Sequence, residues 1–464
     1  MTPVTSFKDK HVALFGLGGS GFISAQALVA GGAQVSVWDD KEAARGKARD
    51  AGLQIADLRE ADWHQFSSLV LAPGVPLTHP EPHWTVQKAK EEGVEVIGDI
   101  ELFCRERAFI APRSLFVAIT GTNGKSTTTA LTAHLFKTFG YDVQIGGNIG
   151  IPILALQPPA DGRVHVIECS SFQIDLTPSL KPWVGVLLNV TPDHLDRHGT
   201  MENYAAIKER LVAGAENAVV CLDDDICVAI SERLAKSKKP GTSVSVTHLD
   251  VPHGIILDGT RLVRRLEGRS MTIADLAGIA SLRGKHNGQN AAAAVAALGA
   301  HAFNLELVTK GLQSFPGLPH RMEEVGRLGK ILFVNDSKAT NADAAEKALL
   351  SFDQIFWIIG GRAKEGGITP LRGLFSKVVK AYLVGEAMEL FAATIGDALP
   401  YERCVTLDAA LRAAAKDAEA SLLEAPVVLL SPACASFDQF PDFEKRGDFF
   451  RGLVKALLAE KQKV

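Results

Sequence analysis

The chain has 464 residues, 47% of them hydrophobic, and a formal net charge of −4. That length allows about three domains of about 150 residues each, and the slightly acidic balance excludes the basic excess of a general nucleic-acid binder. No run approaches the ~20 apolar residues that span a bilayer and the N-terminus lacks a signal-peptide pattern, so neither nucleic acid nor membrane is an expected partner and the expected location is the cytoplasm. Six scattered cysteines without a C-x-x-C pair read as free thiols.

The first hundred residues alternate strand and helix. Residues 11–15 read as a short apolar strand, Gly16-Leu-Gly18-Gly19-Ser20-Gly21 as a turn, and residues 22–30 as a helix. A strand over 34–38 ends at Asp39, a strand over 68–71 leads into Pro73-Gly74, and a fourth covers 94–97. Repeated βα units predict a parallel, doubly wound sheet with ligands at the carboxyl ends of its strands. The glycine spacing, with Asp39 about twenty residues on, fits the dinucleotide fingerprint. Such a turn also suits any other nucleotide diphosphate, and a merely tight turn is the plain alternative.

A second unit opens at the apolar run 115–119. It is followed by Gly121-Thr122-Asn123-Gly124-Lys125-Ser126-Thr127 and a helix over 128–139. A strand, a Gly-rich turn carrying Lys-Ser and a helix together hold phosphates. Backbone N–H groups and the helix N-terminus face the anion, Lys125 adds a point charge, and Ser126 can ligate Mg²⁺. The common pattern wants glycine five places before Gly124, where Ile119 stands. A nucleoside triphosphate is therefore expected in a loop of shorter form.

Glu168 ends a β-branched strand over 164–168, a good place for a Mg²⁺ ligand; a solvated acid or the N-cap of the next helix are the plain alternatives. After a strand over 184–190, His194 and His198 stand four apart, but Leu195 replaces the Glu of a helical zinc motif, so zinc is not expected. A histidine among acids beside a triphosphate loop suggests a second cation or a carboxylate-binding wall, against a loop simply capped by Asp193. By residue type alone, Lys208 reads as a solvated helix lysine. Residues 240–285 read as short strands and glycine turns, an antiparallel insert or flank, and residues 290–301 as an Ala-rich core helix.

A third unit starts near Pro316-Gly-Leu-Pro319, with strands at 331–334, 355–359, 381–384 and 427–430. Another parallel α/β sheet is expected. Three polar loops follow three of these strands: Asn335-Asp336-Ser337-Lys338-Ala-Thr340-Asn341, Gly360-Gly361-Arg-Ala-Lys364, and Ser431-Pro-Ala-Cys434-Ala-Ser436-Phe437. Together they predict one rim suited to an anionic small molecule, with His320-Arg321 at its entrance.

Taken in order, these motifs resemble the Mur ligases of bacterial cell-wall synthesis. The match is carried by Gly98-Asp-Ile-Glu-Leu-Phe103, the 120–127 loop, Gly146-Gly-Asn148-Ile-Gly150, Glu168-Cys-Ser-Ser-Phe-Gln173, Asn189-Val-Thr-Pro-Asp-His194, Gly317-Leu-Pro-His-Arg321, the 335–341 loop and Leu430-Ser-Pro-Ala-Cys-Ala-Ser-Phe-Asp-Gln-Phe440. The resemblance implies an α/β protein of three domains: a Rossmann-like domain for a UDP-substrate (1–104), a P-loop-type central ATPase domain (105–316) and a Rossmann-like domain for ATP and an amino acid (317–464). It implies ATP-driven peptide-bond formation through an acyl phosphate, and the last motif favours members that add D-glutamate to UDP-N-acetylmuramoyl-L-alanine. By resemblance, Gly18, Gly19, Ser20, Asp39, Asp40, Gly74, Asn148 and His194 hold the UDP-substrate. Residues 121–127 hold ATP together with Asn287, Asn290, Arg321 and Asp336. Lys338, Thr340, Lys364, Ser436, Phe437 and Phe443 surround D-glutamate. Two Mg²⁺ ions are implied, at Ser126 and around Glu168, His194 and a carbamylated Lys208, with Lys125, Glu168, His194 and Lys208 catalytic. A monomer is expected.

Overall fold

A computed structural model describes residues 1–237, 241–247, 251–299 and 304–461. The chain forms two compact units, one of residues 1–277 with 287–314 and one of residues 278–286 with 315–464.

The first unit holds two sheets. The N-terminal sheet has strands β1 (His11–Phe15), β2 (Gln34–Trp38), β3 (Gln54–Ile55), β4 (Ser68–Leu71) and β5 (Glu95–Ile97), all parallel, in the order β3-β2-β1-β4-β5. The strand order reverses between β1 and β4, so their carboxyl ends form the crevice where this topology receives ligands. The helix Gly19–Ala30 begins three residues before the expected start. A Cβ on Gly21 would run into the carbonyl oxygen of Gly16, and one on Gly16, at φ +93°, would lie 2.7 Å from Cβ of Ala72.

The central sheet has nine strands: β6 (Leu115–Thr120), β7 (Asp142–Gly147), β8 (Arg163–Glu168), β9 (Val184–Leu187), β10 (Asn217–Cys221), β11 (Gly241–Ser245), β12 (Gly254–Asp258), β13 (Arg261–Leu266) and β14 (Arg269–Asp275). Their order is β14-β13-β12-β11-β10-β9-β6-β8-β7. β8, β6 and β9 are neighbours and parallel, with Ile119 opposite Glu168 and Thr120 opposite Leu187. The 240–285 region is no separate insert. β11 and β12 continue the parallel sheet, and only β13 and β14 run antiparallel, as its edge. The Ala-rich helix runs Lys285–Ala297; the expected end at His301 lies outside the described residues.

Both sheets share one continuous core, in which Val12, Leu14, Ile100 and Phe103 pack with Phe116, Ile167 and Leu187. The helix Asp99–Ile110 joins them. Its Glu101 accepts the Ser179 N–H at 3.0 Å, and its Glu106 accepts Thr5 Oγ1 at 2.6 Å and Ser6 N at 2.7 Å.

The second unit holds β15 (Glu323–Leu328), β16 (Ile331–Asn335), β17 (Ile355–Gly360), β18 (Val378–Val384), β19 (Tyr401–Val405) and β20 (Val427–Leu430), in the order β15-β16-β20-β17-β18-β19. It is parallel as expected, except that β15 is an antiparallel edge. β17 is buried throughout, as a parallel strand covered on both faces should be. Among the described residues, no helix is long and apolar enough to cross a membrane.

Phe103 is fully buried, 5.5 Å from the Phe116 ring and 4.9 Å from the His165 ring. Phe103→Ala is expected to cost about 3–5 kcal/mol of stability, measured as a lower urea midpoint at unchanged slope.

Candidate active site

The 121–127 loop leaves β6, the middle of three adjacent parallel strands. Gly124 is its pivot. At φ +83° it takes the left-handed conformation that caps the helix Lys125–Thr138, and a Cβ there would strike Oδ1 of Asn290. The helix thus starts three residues before the expected position, with Ser126 and Thr127 in its first turn and Ser126 buried. Lys125 folds back over the loop: its Nζ donates to the carbonyls of Gly121 at 2.9 Å and Thr122 at 2.8 Å. Asn123 is clasped by Asn189, whose Oδ1 accepts its N–H at 2.8 Å and whose Nδ2 donates to its carbonyl at 3.1 Å. Asn290 accepts Thr128 Oγ1 at 3.2 Å and donates to Oδ1 of Asn287 at 3.1 Å. Both asparagines are buried, so the structure brings them to the phosphate-type loop.

Lys208 overturns the reading based on residue type alone. It is 1% exposed, and its Nζ donates to the Gly121 carbonyl at 2.9 Å and to Thr120 Oγ1 at 3.3 Å. Its ammonium lies 4.7 Å from the centre of the Tyr204 ring, whose hydroxyl is 3.3 Å from Thr122 Oγ1. Burial, and then the nearby charge of Lys125, push the Lys208 amine down to about 7.

Glu168 is buried, and it does not cap the next helix; that role falls to Ser170. Oε1 of Glu168 accepts Asn148 Nδ2 at 2.7 Å, and its carbonyl accepts the Asn148 N–H at 2.9 Å. Its Oε2 is buried without a hydrogen-bond partner. An acceptor-only oxygen left open in a protein interior fits a divalent cation. Among the described residues, no group of three or more His, Cys, Asp or Glu is arranged to hold a metal ion. Mg²⁺ commonly takes one or two carboxylates and completes its coordination with phosphate oxygens and water, and Glu168 could serve as such a carboxylate. His194, left-handed at φ +53° and about half exposed, lies with Nε2 3.3 Å from Asp193 Oδ2 and its ring 5.0 Å from that of Phe172. His198 is buried against Ser171 Oγ at 2.9 Å, and burial pushes its imidazole down to about 4.

In the N-terminal sheet Asp39 closes the glycine turn: Oδ2 accepts the Leu17 N–H at 2.7 Å and Oδ1 the Lys41 N–H at 2.9 Å. Asp40 pairs with Arg59 at 3.0 Å. Around Gly18, Gly19 and Gly74 an added Cβ would meet nothing within 4 Å, and Ser20 is half-buried in the first helical turn. This crevice therefore has room for a ligand. Arg197, which sequence reasoning passed over, ties the loop after β9 to it, donating to the carbonyls of Gly74 at 3.1 Å and Val75 at 3.0 Å. Arg197 lies between His194 and His198, the histidine pair noted in the sequence, so its position was visible but its partners, backbone carbonyls, were not.

In the second unit the three expected loops leave β16, β20 and β17, which are adjacent and parallel, so they do share one rim. Burial pushes the Asp336 carboxyl up to about 7; it accepts Ser431 Oγ at 2.8 Å and the Met322 N–H at 3.2 Å. Arg321 lies between two non-glycine residues with left-handed backbone, His320 at φ +61° and Met322 at φ +49°. The Lys338 ammonium sits 3.8 Å from the centre of the Phe443 ring, and the Thr340 N–H donates to the Lys338 carbonyl at 2.8 Å. Ser436 is buried, whereas Phe437 and Lys364 are exposed. The clip between two of the loops is Arg446, another residue the sequence did not single out. It donates to Ser337 Oγ (2.9 Å), the Ser337 carbonyl (2.8 Å) and the Cys434 carbonyl (3.0 Å).

Three family models match successive parts of the chain: "Mur ligase MurD-like, N-terminal domain" over residues 10–98, "Mur ligase middle domain" over 119–298 and "Mur ligase, glutamate ligase domain" over 320–434. The chain is 58% identical over 457 residues to the UDP-N-acetylmuramoylalanine–D-glutamate ligase of Mesorhizobium japonicum, covering 98% of each chain. It is 60% identical over 460 residues to the enzyme of that name from Nitrobacter hamburgensis, again covering 98% of each. Among solved structures, the UDP-N-acetylmuramate-alanine ligase MurC of Thermotoga maritima shares the fold with a TM-score of 0.57 at 16% identity, covering 96% of this chain and 99% of that one. With the matched models in chain order and near-full-length identity well above half, this chain belongs to the Mur ligase family.

Proposed function

We propose that this chain is the ATP-dependent ligase that joins D-glutamate to UDP-N-acetylmuramoyl-L-alanine in peptidoglycan precursor synthesis. The observation that carries the reading is the convergence, at the ends of β8, β6 and β9, of the Lys125 loop, the open oxygen of Glu168 and the buried amine of Lys208. The specific substrates follow the relatives at 58–60% identity. Residues 1–104 are assigned to the UDP-substrate, 105–316 to the ATPase core and 317–464 to ATP and the amino acid. We place the reaction in the cytoplasm and take the chain as a monomer, which sedimentation at several protein concentrations checks.

The chemistry has two steps. An oxygen of the L-alanine carboxylate bonds to the γ-phosphorus, the bond to the bridging oxygen breaks, and ADP leaves. The amine of D-glutamate then attacks the acyl carbon, phosphate leaves, and the amine loses a proton. In the first step an anion approaches a polyanion, so fixed positive charge must stand there beforehand. Lys125 and the N-terminus of the helix Lys125–Thr138 supply it. Mur ligases use ATP and Mg²⁺; bound Mg²⁺ would add charge screening, with Ser126 at one ion and Glu168, His194 and Lys208 at a second. Gly18, Gly19, Ser20, Asp39, Asp40, Gly74 and Asn148 are assigned to the UDP-substrate, Asn287, Asn290, Arg321 and Asp336 to ATP. Lys338, Thr340, Lys364, Ser436, Phe437 and Phe443 are assigned to D-glutamate.

A lysine pushed down to about 7 is a nucleophile at neutral pH. Its neutral amine can add to CO₂ and release one proton. The resulting carbamate turns the second of two neighbouring cations into an anionic oxygen donor.

Phosphate release should require ATP, UDP-N-acetylmuramoyl-L-alanine and D-glutamate together. A different amino acid supporting faster release would overturn the substrate assignment. Lys125→Ala and Glu168→Ala should each lower kcat by about 10²–10³-fold, read by ADP formation. With ¹³C-bicarbonate, a carbamate resonance should appear and be absent in Lys208→Ala. Protonation blocks the amine, so the signal should rise as pH is raised through about 7 and fade below it. Short carboxylates should partly restore Lys208→Ala.

A further inference from the structure

Two residues of matched motifs that have no part in the mechanism above meet in the interior of the first unit. Asp99 begins the helix Asp99–Ile110 and is 3% exposed. Its carboxylate accepts the Ile100 N–H at 2.9 Å and Nε2 of Gln173 at 3.2 Å (Oδ2) and 3.5 Å (Oδ1). Among the described residues no cation pairs with it. Gln173 lies in the short helix Ser171–Asp175, just beyond Glu168. Its other end faces Ser170: Oε1 accepts the Ser170 N–H and hydroxyl, each at 3.2 Å, while the Gln173 N–H donates to Ser170 Oγ at 3.3 Å.

A buried carboxylate without a cation is a costly way to start a helix. What it does that an amide cannot is accept only. Facing Gln173, it forces the NH₂ toward itself and the carbonyl oxygen toward Ser170, which selects one of two amide orientations. The capping box needs that orientation, because its acceptor for the Ser170 N–H is Oε1. Ser170 is two residues past Glu168, and Asn148 already holds Glu168 from the other side through its carbonyl and Oε1. The same short helix also takes His198 on Ser171, at 2.9 Å. The adjoining turn is docked as well: the Gly98 N–H donates to the Leu176 carbonyl at 2.9 Å.

We propose that Asp99 is a positioning residue that, through Gln173 and Ser170, fixes the turn carrying Glu168 so that its open oxygen is aimed at a divalent cation. This rests on the reading of Glu168 as a metal ligand.

The test measures Mn²⁺ bound to the full-length protein with a non-hydrolysable ATP analogue, by the loss of the free-ion paramagnetic resonance signal. Asp99→Ala should weaken Mn²⁺ binding by about 10–100-fold and raise by a similar factor the Mg²⁺ needed for half-maximal rate, leaving KM for D-glutamate unchanged. Asp99→Asn should shift both in the same direction by less, and it carries the test if Asp99→Ala does not fold. Glu106→Gln, at the far end of the same helix, should lower the melting temperature without moving Mn²⁺ affinity. Parent-like Mn²⁺ binding in both Asp99 variants, together with loss of binding in Glu168→Ala, would overturn the positioning role alone. Parent-like binding in Glu168→Ala would overturn the metal reading itself, and the proposal with it.

Discussion

The carbonyl oxygen of Gly121 accepts two lysine ammonium groups, Lys125 from the helix that follows and Lys208 from the helix Met201–Gly214. One carbonyl dipole cannot neutralise two charges, and Lys208 has almost no water. Burial, and then the charge of Lys125, make the Lys208 amine give way, falling toward neutrality. Much else follows from this constraint. Gly124 must be left-handed so that the chain can turn the Gly121 carbonyl inward and still start a helix. Tyr204 covers the amine, and Asn189 and Asn290 brace the loop from two sides.

The strand-end loops were legible because parallel strands read as uninterrupted apolar runs, and each run that ended in Gly, Ser or acid marked a possible site. Strands such as His11–Phe15, Ser68–Leu71 and Val427–Leu430 have the extents expected. The unread strands lie mainly at edges. β3 has two residues, β7 ends in two glycines, and β19, Tyr-Glu-Arg-Cys-Val, is polar and largely exposed. Both phosphate-type turns were read as too long, since Gly19 and Lys125 already have helical backbone although their composition is that of a turn. Lys208, Arg197 and Arg446 share another reason for opacity. Their partners are mostly backbone carbonyls, which leave no trace in residue identity.

The second unit solves the same problem of a polar rim with different means. Asp336, buried beside Ser431, is held partly protonated near neutral pH, and Arg446 joins the ends of β16 and β20 by backbone carbonyls instead of a counter-ion. Burial lowers even that guanidinium, to about 10. A rim braced by neutral acceptors suits an anionic guest.

The shared core of the first two sheets has a metric consequence. The glycine crevice at β1 and β4 and the loop at β6 belong to one compact body, further pinned by Arg197 on the Gly74 and Val75 carbonyls. The span between them is a built-in dimension of the molecule. Under the proposed assignment, a substrate anchored by its diphosphate in the glycine crevice would present its carboxylate to the phosphate loop only if the arm between has the matching reach. Such a protein can reject longer and shorter arms as a gauge block does, without touching the arm at all.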